Sequence, residues 1–241
     1  MAKAIITDKL TKVFKDKTAV NAVDISVEEN SLVALLGVNG AGKTTTIRML
    51  SGLSKPTSGK ATVMDLDVVS SAAQVKALTG ISTQDTAVAQ NLTVEENLRF
   101  MAQIYLDKTE VNSAVEEIIS DFGLAQCRKK KAKLLSGGWQ RRLSIAMAVI
   151  GKPRVLFLDE PTLGLDVLAR RELWEEIERL KKNMTIVLTT HYMEEAQELA
   201  DYIYIMIDGS IAASGTLDEL EKQSGRKGLE DVFVSIARGE N

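Results

Sequence analysis

Two stretches of this chain carry residue types at spacings that suit phosphate chemistry. Residues 37–44 read GVNGAGKT, in which Gly37, Gly40 and Gly42 allow the backbone to turn its N–H groups inward around an anion. Val38, Asn39, Ala41 and Thr45 complete the cradle. Lys43 brings a compact positive charge for β- and γ-phosphate oxygens, Thr44 a hydroxyl for Mg2+, and the helix that follows a partial positive charge at its N-terminus. Residues 155–166 read VLFLDEPTLGLD, four apolar residues set directly against Asp159 and Glu160. Buried acids are costly unless something cationic or protonated lies beside them. Beside a phosphate cradle, Asp159 is placed to hold Mg2+ through its water shell, and Glu160 to take a proton from an attacking water. The blander readings are a glycine-rich turn with no ligand and a strand that ends in two solvated acids.

The elements that must position these residues are short apolar runs rich in Val, Leu and Ile. SLVALLG (31–37), RVLFLDE (154–160) and MTIVLTTH (184–191) are each followed by a helix-like segment and suit parallel strands buried on both faces. AIITDKLTKVF and VNAVDISVEE, near the N-terminus, alternate like antiparallel strands. After Gln84 the pattern changes. TVEENLRFMAQIYL (93–106), EVNSAVEEIISDFGL (110–124) and WQRRLSIAMAVIG (139–151) carry helical periodicity with no strand between them, which predicts an all-helical insert. In the tail, Leu229, Val232, Phe233 and Ile236 share one helical face, either as core packing or as a partner-binding surface.

Composition narrows the class. The chain has 241 residues, 45% hydrophobic and 26% charged, ordinary values for a globular protein. A formal charge of −3 argues against broad attraction to nucleic acid or anionic lipid. MAKAIITDKL has no apolar core of a signal peptide, and YIYIMI at 202–207 is far short of a membrane span. The expectation is a soluble chain that stays where it is made and meets a membrane only through a partner. A single cysteine, Cys127, precludes an internal disulfide and a cysteine-based zinc cage and fits a reducing cytosol.

At LLSGGWQRRLSIAMAVIGKPRVLFLDEPTLGLD the chain resembles the ATP-binding subunit of an ABC transporter, and the resemblance extends over essentially its whole length. It implies an α/β fold, a P-loop NTPase with a RecA-like parallel-sheet core, an antiparallel β subdomain and an all-helical subdomain. The implied layout of the single domain, 1–241, has β subdomain and core over about 1–85 and 152–215, helical subdomain over about 86–151 and a C-terminal extension over about 216–241. Leu135, Ser136, Gly137 and Gly138 match the signature that opens a helix and makes a second anion site. In the family it covers the γ-phosphate of a second protomer, head to tail, so that two ATP lie in a two-fold interface. Gln84 matches the glutamine that ends a strand, ligates Mg2+ or water and links nucleotide to helical insert. His191, the one histidine of the chain, matches the residue that faces the γ-phosphate and helps hold Glu160. Asp166 matches the loop that crosses the dimer, and Phe14 the aromatic that stacks on adenine, with core packing as the alternative for that ring. Two residues depart from the pattern: Phe14 stands where tyrosine is usual, and Trp139 follows the signature glycines where Gln or Met is common. Indole accepts no hydrogen bond, which puts an amide contact to the partner's ribose in doubt.

QNLTVEENLRFMAQIYL and THYMEEAQELADYIYIMIDGSIAASGTLDEL further resemble ATPases of the ABC-2, drug-exporter type. The resemblance implies ATP and Mg2+ as cofactors, a second ATPase protomer (identical or not), transmembrane permease subunits, and a place on the cytoplasmic face of a membrane, with no nucleic acid. The alternative is a soluble ABC-type ATPase acting on the ribosome or nucleic acid.

Overall fold

The computed structural model describes residues 2–239; Met1, Glu240 and Asn241, within the span expected for the domain, lie outside the described residues. The chain runs β1 (Lys3–Phe14), β2 (Lys17–Val23), β3 (Ser26–Glu28), β4 (Leu32–Leu36), α1 (Lys43–Leu50), β5 (Ser58–Val63), β6 (Leu66–Asp67), α2 (Ala72–Leu78) and β7 (Thr79–Ser82). It continues with α3 (Val94–Tyr105), α4 (Val111–Asp121) and α5 (Gly137–Val149), with two short 3-10 turns between α4 and α5. Then follow β8 (Val155–Asp159), α6 (Val167–Lys181), β9 (Thr185–Thr190), α7 (Met193–Leu199), β10 (Tyr202–Ile207), β11 (Ser210–Gly215), α8 (Leu217–Ser224) and α9 (Leu229–Arg238).

One sheet has the order β11-β10-β4-β9-β8-β7, parallel except for the β10–β11 hairpin. Its central strands β4, β8 and β9 are buried at every residue. Their alternation divides the interior in two. Leu32, Ala34, Leu36, Leu156, Leu158, Ile186 and Leu188 face a core shared with the helical insert, and α6 and α9 pack on it. Val33, Leu35, Val155, Phe157 and Val187 face a second core, shared with α1 and an antiparallel sheet of order β2-β1-β5-β6 that β3 joins beside β1. A strand with apolar residues at every position can serve both cores because successive side chains point to opposite faces. Helix α1, and with it the loop 37–42 that precedes it, is therefore clamped between two sheets.

The stretch VNAVDISVEE forms two strands, not one. Thr7 explains the break: its hydroxyl accepts from Ile25 N at 2.7 Å and donates to Val23 O at 2.8 Å, replacing ladder bonds where the chain passes from β2 to β3. Of the tail's apolar face, Leu229, Val232 and Phe233 are buried in the first core and Ile236 packs against it.

Candidate functional site

The loop 37–42 joins the end of β4 to α1, and its shape depends on Gly42, the N-cap of α1. Gly42 has φ 100°, and a Cβ there would lie 2.5 Å from Ala19 O, so neither the conformation nor the space admits a side chain. With no side-chain cap on α1, its first N–H groups have no partner within the helix and point into the cleft in front of it. Lys43 is buried and folds back over the loop, donating to Gly37 O at 2.7 Å and Val38 O at 3.2 Å.

Neighbouring strands bring the acids to this loop. Asp159, 3% exposed, accepts at Oδ1 from Thr44 Oγ1 at 2.9 Å and Thr189 Oγ1 at 2.6 Å. Glu160, 5% exposed, receives Lys43 Nζ at 3.1 Å on Oε1 and His191 Nδ1 at 2.7 Å on Oε2. That pairing is why an acid can be buried at the end of an apolar strand. Glu160 also has φ 49°, a left-handed conformation that costs a non-glycine residue roughly 1 kcal/mol. Two bonds from its N–H hold it there, to Thr189 O at 3.1 Å and to Thr189 Oγ1 at 3.0 Å. Strain held in place by surrounding bonds is typical of functional positions.

Phe14, Lys17, residues 39–45, Gln84, Glu160, Leu163 and His191 line one cleft of about 580 Å3. Phe14 is 52% exposed at its rim rather than in either core, with Lys12 Nζ 5.0 Å from the ring centroid. Gln84 lies two residues beyond the end of β7 and not at its last position. The carbonyls of Thr83 and Gln84 are instead taken by Arg141 Nη1 and Nη2, each at 2.6 Å. Burial pushes the Arg141 guanidinium down from its ordinary value, against the pull of Asp159, Asp85 and Glu195.

Ser136, Gly138, Trp139 and Asp166 line a separate groove of about 260 Å3. Ser136 is the N-cap of α5 and is exposed, as is Gly137. Asp166 caps α6, accepting from Leu168 N at 3.0 Å and Ala169 N at 2.9 Å. The Trp139 ring lies under the Arg142 guanidinium, 4.8 Å from its carbon. A third cleft, about 620 Å3 between α4, α5 and α6, holds none of these residues. Four charged residues of its rim are paired, Lys152 with Glu117 and Arg179 with Glu176.

The first cleft fits a nucleoside triphosphate with Mg2+. It has a backbone cradle that admits no Cβ at Gly42, a buried ammonium, and a hydroxyl and a carboxylate already in contact at Thr44 and Asp159. Among the described residues no group of three or more His, Cys, Asp and Glu side chains converges as a metal cage. A divalent ion would therefore need phosphate and water as further ligands. Sequence reasoning did not single out Thr189, Arg141 or Glu195. Thr189 was visible only as one more residue of an apolar strand, and Glu195 as one acid in MEEAQE.

Residues 20–163 match the family model described as ABC transporter. The chain is 38% identical over 232 residues to the daunorubicin resistance ATP-binding protein DrrA3 of Streptomyces coeruleorubidus, a match that covers 95% of this chain and 73% of that protein. It is 40% identical over 215 residues to the human ATP-binding cassette sub-family A member 2, covering 88% of this chain and 9% of that protein. The chain spans between 9% and 26% of the length of that protein and four comparable relatives. A solved ATP binding subunit of an ABC transporter shares the fold with a TM-score of 0.87 at 28% identity, covering 97% of this chain and 99% of that one.

Proposed function

The chain belongs to the ABC transporter ATP-binding family, and from that premise we propose that it hydrolyses Mg·ATP to drive a membrane-spanning export partner. The observation that carries the reading is Glu160, buried between Lys43 and His191 beside the Thr44–Asp159 couple. The cleft supplies each role that phosphoryl transfer needs. The N–H groups of residues 39–45 bind phosphate oxygens, and Phe14 offers a ring for the base. Thr44, Asp159 and Gln84 would hold Mg2+, which supplies charge neutralisation on the phosphoryl oxygens. Lys43 neutralises the transferring group, and in doing so exchanges its contact with Glu160 for one with phosphate. Glu160, still held by His191, then orients water and takes its proton as the bond from water oxygen to phosphorus forms and the bond to the ADP oxygen breaks.

In this reading the working unit is a head-to-tail dimer. Ser136 and Gly138 lie in a groove apart from the first cleft, with exposed Gly137 between them in the chain, so the three serve a nucleotide held by another protomer, with Asp166 close to the crossing. Residues about 86–151 act as the helical subdomain that receives the membrane partner, and 216–241 as an extension. Exposed Phe100, Ile104 and Tyr105 of α3 offer that partner an apolar surface on the cytoplasmic side. Among the described residues no helix is long and apolar enough to cross a membrane. The Streptomyces relative's name, with its reference to daunorubicin resistance, favours export.

The test is Glu160→Gln. It should bind ATP with an affinity close to wild type, lose turnover by roughly 100- to 10,000-fold, and elute as an ATP-loaded dimer on gel filtration. Turnover at the wild-type rate would remove Glu160 from the reaction.

A further inference from the structure

We propose that Arg141 is a positioning residue that fixes Gln84 to the helix bearing Ser136, so that the two anion-facing segments move as one body. Arg141 is 4% exposed, and its planar fork donates to two consecutive carbonyls, Thr83 O and Gln84 O. A lysine would bring one nitrogen where the guanidinium sets two, each at its own carbonyl. Among the described residues it forms no ion pair, so these two carbonyls are where its charge is spent in short hydrogen bonds.

The fork is one end of a continuous seam. Arg141, Ser144 and Ala148 lie at i, i+3 and i+7 on one face of α5. Ser144 Oγ is 2.9 Å from Ser82 Oγ, and a Cβ on Gly80 would collide with Ala148 O. As α5 runs from 148 back to 141, the chain opposite runs from 80 to 84, so Gln84 arrives at the signature end of the helix. Ser136 is five residues, about 7.5 Å of helix rise, from Arg141. The far end of the loop is held separately: Asn97 of α3 accepts from Ala89 N at 2.8 Å and donates to Ala89 O at 3.2 Å. With both ends pinned to helices of the insert, a shift of α5 carries the Gln84 backbone with it. Gln84, in the nucleotide cleft, thereby reports the position of a helix whose own terminus serves another cleft.

The inference rests on the proposed role of Gln84 at the nucleotide, and a double-mutant cycle separates the two. Turnover would be measured for Gln84→Ala, Arg141→Met and the double variant, with ATP affinity by calorimetry and amide exchange over residues 83–90. Expected are a loss of roughly 2- to 30-fold in kcat for Arg141→Met, ATP affinity within about twofold of wild type, faster exchange at 83–90, and no further loss when it is added to Gln84→Ala. If Gln84→Ala is impaired and the two losses multiply, or Arg141→Met keeps wild-type kcat, the linkage is overturned while the Gln84 role stands. If Gln84→Ala is silent, that role falls and the linkage with it. Should Arg141→Met fail to fold, Arg141→Lys, which keeps the charge and drops the fork, takes its place in the same cycle.

Discussion

Glu195 has no exposed surface, and Trp174 Nε1 donates to its Oε1 at 3.2 Å. Burial pushes its carboxyl up and the nearby charge of Glu160 adds to that, against the pull of neighbouring polar groups that include Trp174. The folded protein therefore holds this proton more tightly than the unfolded chain does. The stability tied to it is complete below the ordinary carboxylate range and is lost as pH rises through the raised value. Glu195→Gln keeps an acceptor for Trp174 and cannot ionise. Its thermal midpoint should fall less than that of the wild type between about pH 5 and about pH 9; parallel curves would show that the folded protein keeps no proton on Glu195 above the ordinary carboxylate range. At this scale the sequence was legible where a residue type has few other uses. Gly42, Lys43, Thr44, Asp159, Glu160 and His191 stand out by kind and spacing, and the structure brings them together. Glu195 and Thr189 do not stand out, because acids and threonines are common and only burial beside Glu160 and Asp159 distinguishes these two.

At the scale of elements, α3 and α4 are joined by Arg128, which lies between α4 and α5. It donates to Glu95 at 2.7 and 2.8 Å and to Glu116 at 2.8 and 2.6 Å. Its guanidinium beside Glu95 holds that carboxyl down to about 2. The contribution is present above the ordinary value of 4.5 and fades as pH falls toward about 2. These side chains are partly exposed, so solvent screens the clasp, and Arg128→Ala should lower the midpoint by only roughly 2–4 °C near neutral pH. The difference from wild type should shrink at low pH, and a constant difference would count against the clasp. Periodicity predicted the helices but not this contact, since Glu95 and Arg128 are 33 positions apart. The same limit applies to β2 and β3, which read as one alternating run until the Thr7 hydroxyl is seen between them. It applies to Gln84 too, set beyond its strand because Arg141 takes the carbonyls that a longer ladder would use.

For the whole molecule, the arrangement of clefts sets the expectation. Because the phosphate cradle and the Ser136 groove are separate, one chain alone presents half of each proposed catalytic site. Turnover per mole of purified protein should therefore rise with protein concentration before levelling off, as dimer forms. A rate per mole that stays constant on dilution, with the protein monomeric by light scattering, would contradict the shared site. The sequence by itself determined the strands buried on both faces, the glycine-rich loop ahead of α1, the helical insert and the acids at the end of β8. Each depends on local rules: alternation, helical period, glycine's freedom and the rarity of acids after apolar runs. Only the tertiary structure decided that Lys43 and His191 both meet Glu160, that Thr189 steadies Asp159 and the Glu160 backbone, that Arg141 grips the Gln84 loop, and that Ser136 and Gly138 line a groove separate from the cradle. The contacts among these join segments 29 to 117 positions apart. Their partners are chosen by the order of strands in a sheet and the face a helix buries, which no local pattern encodes.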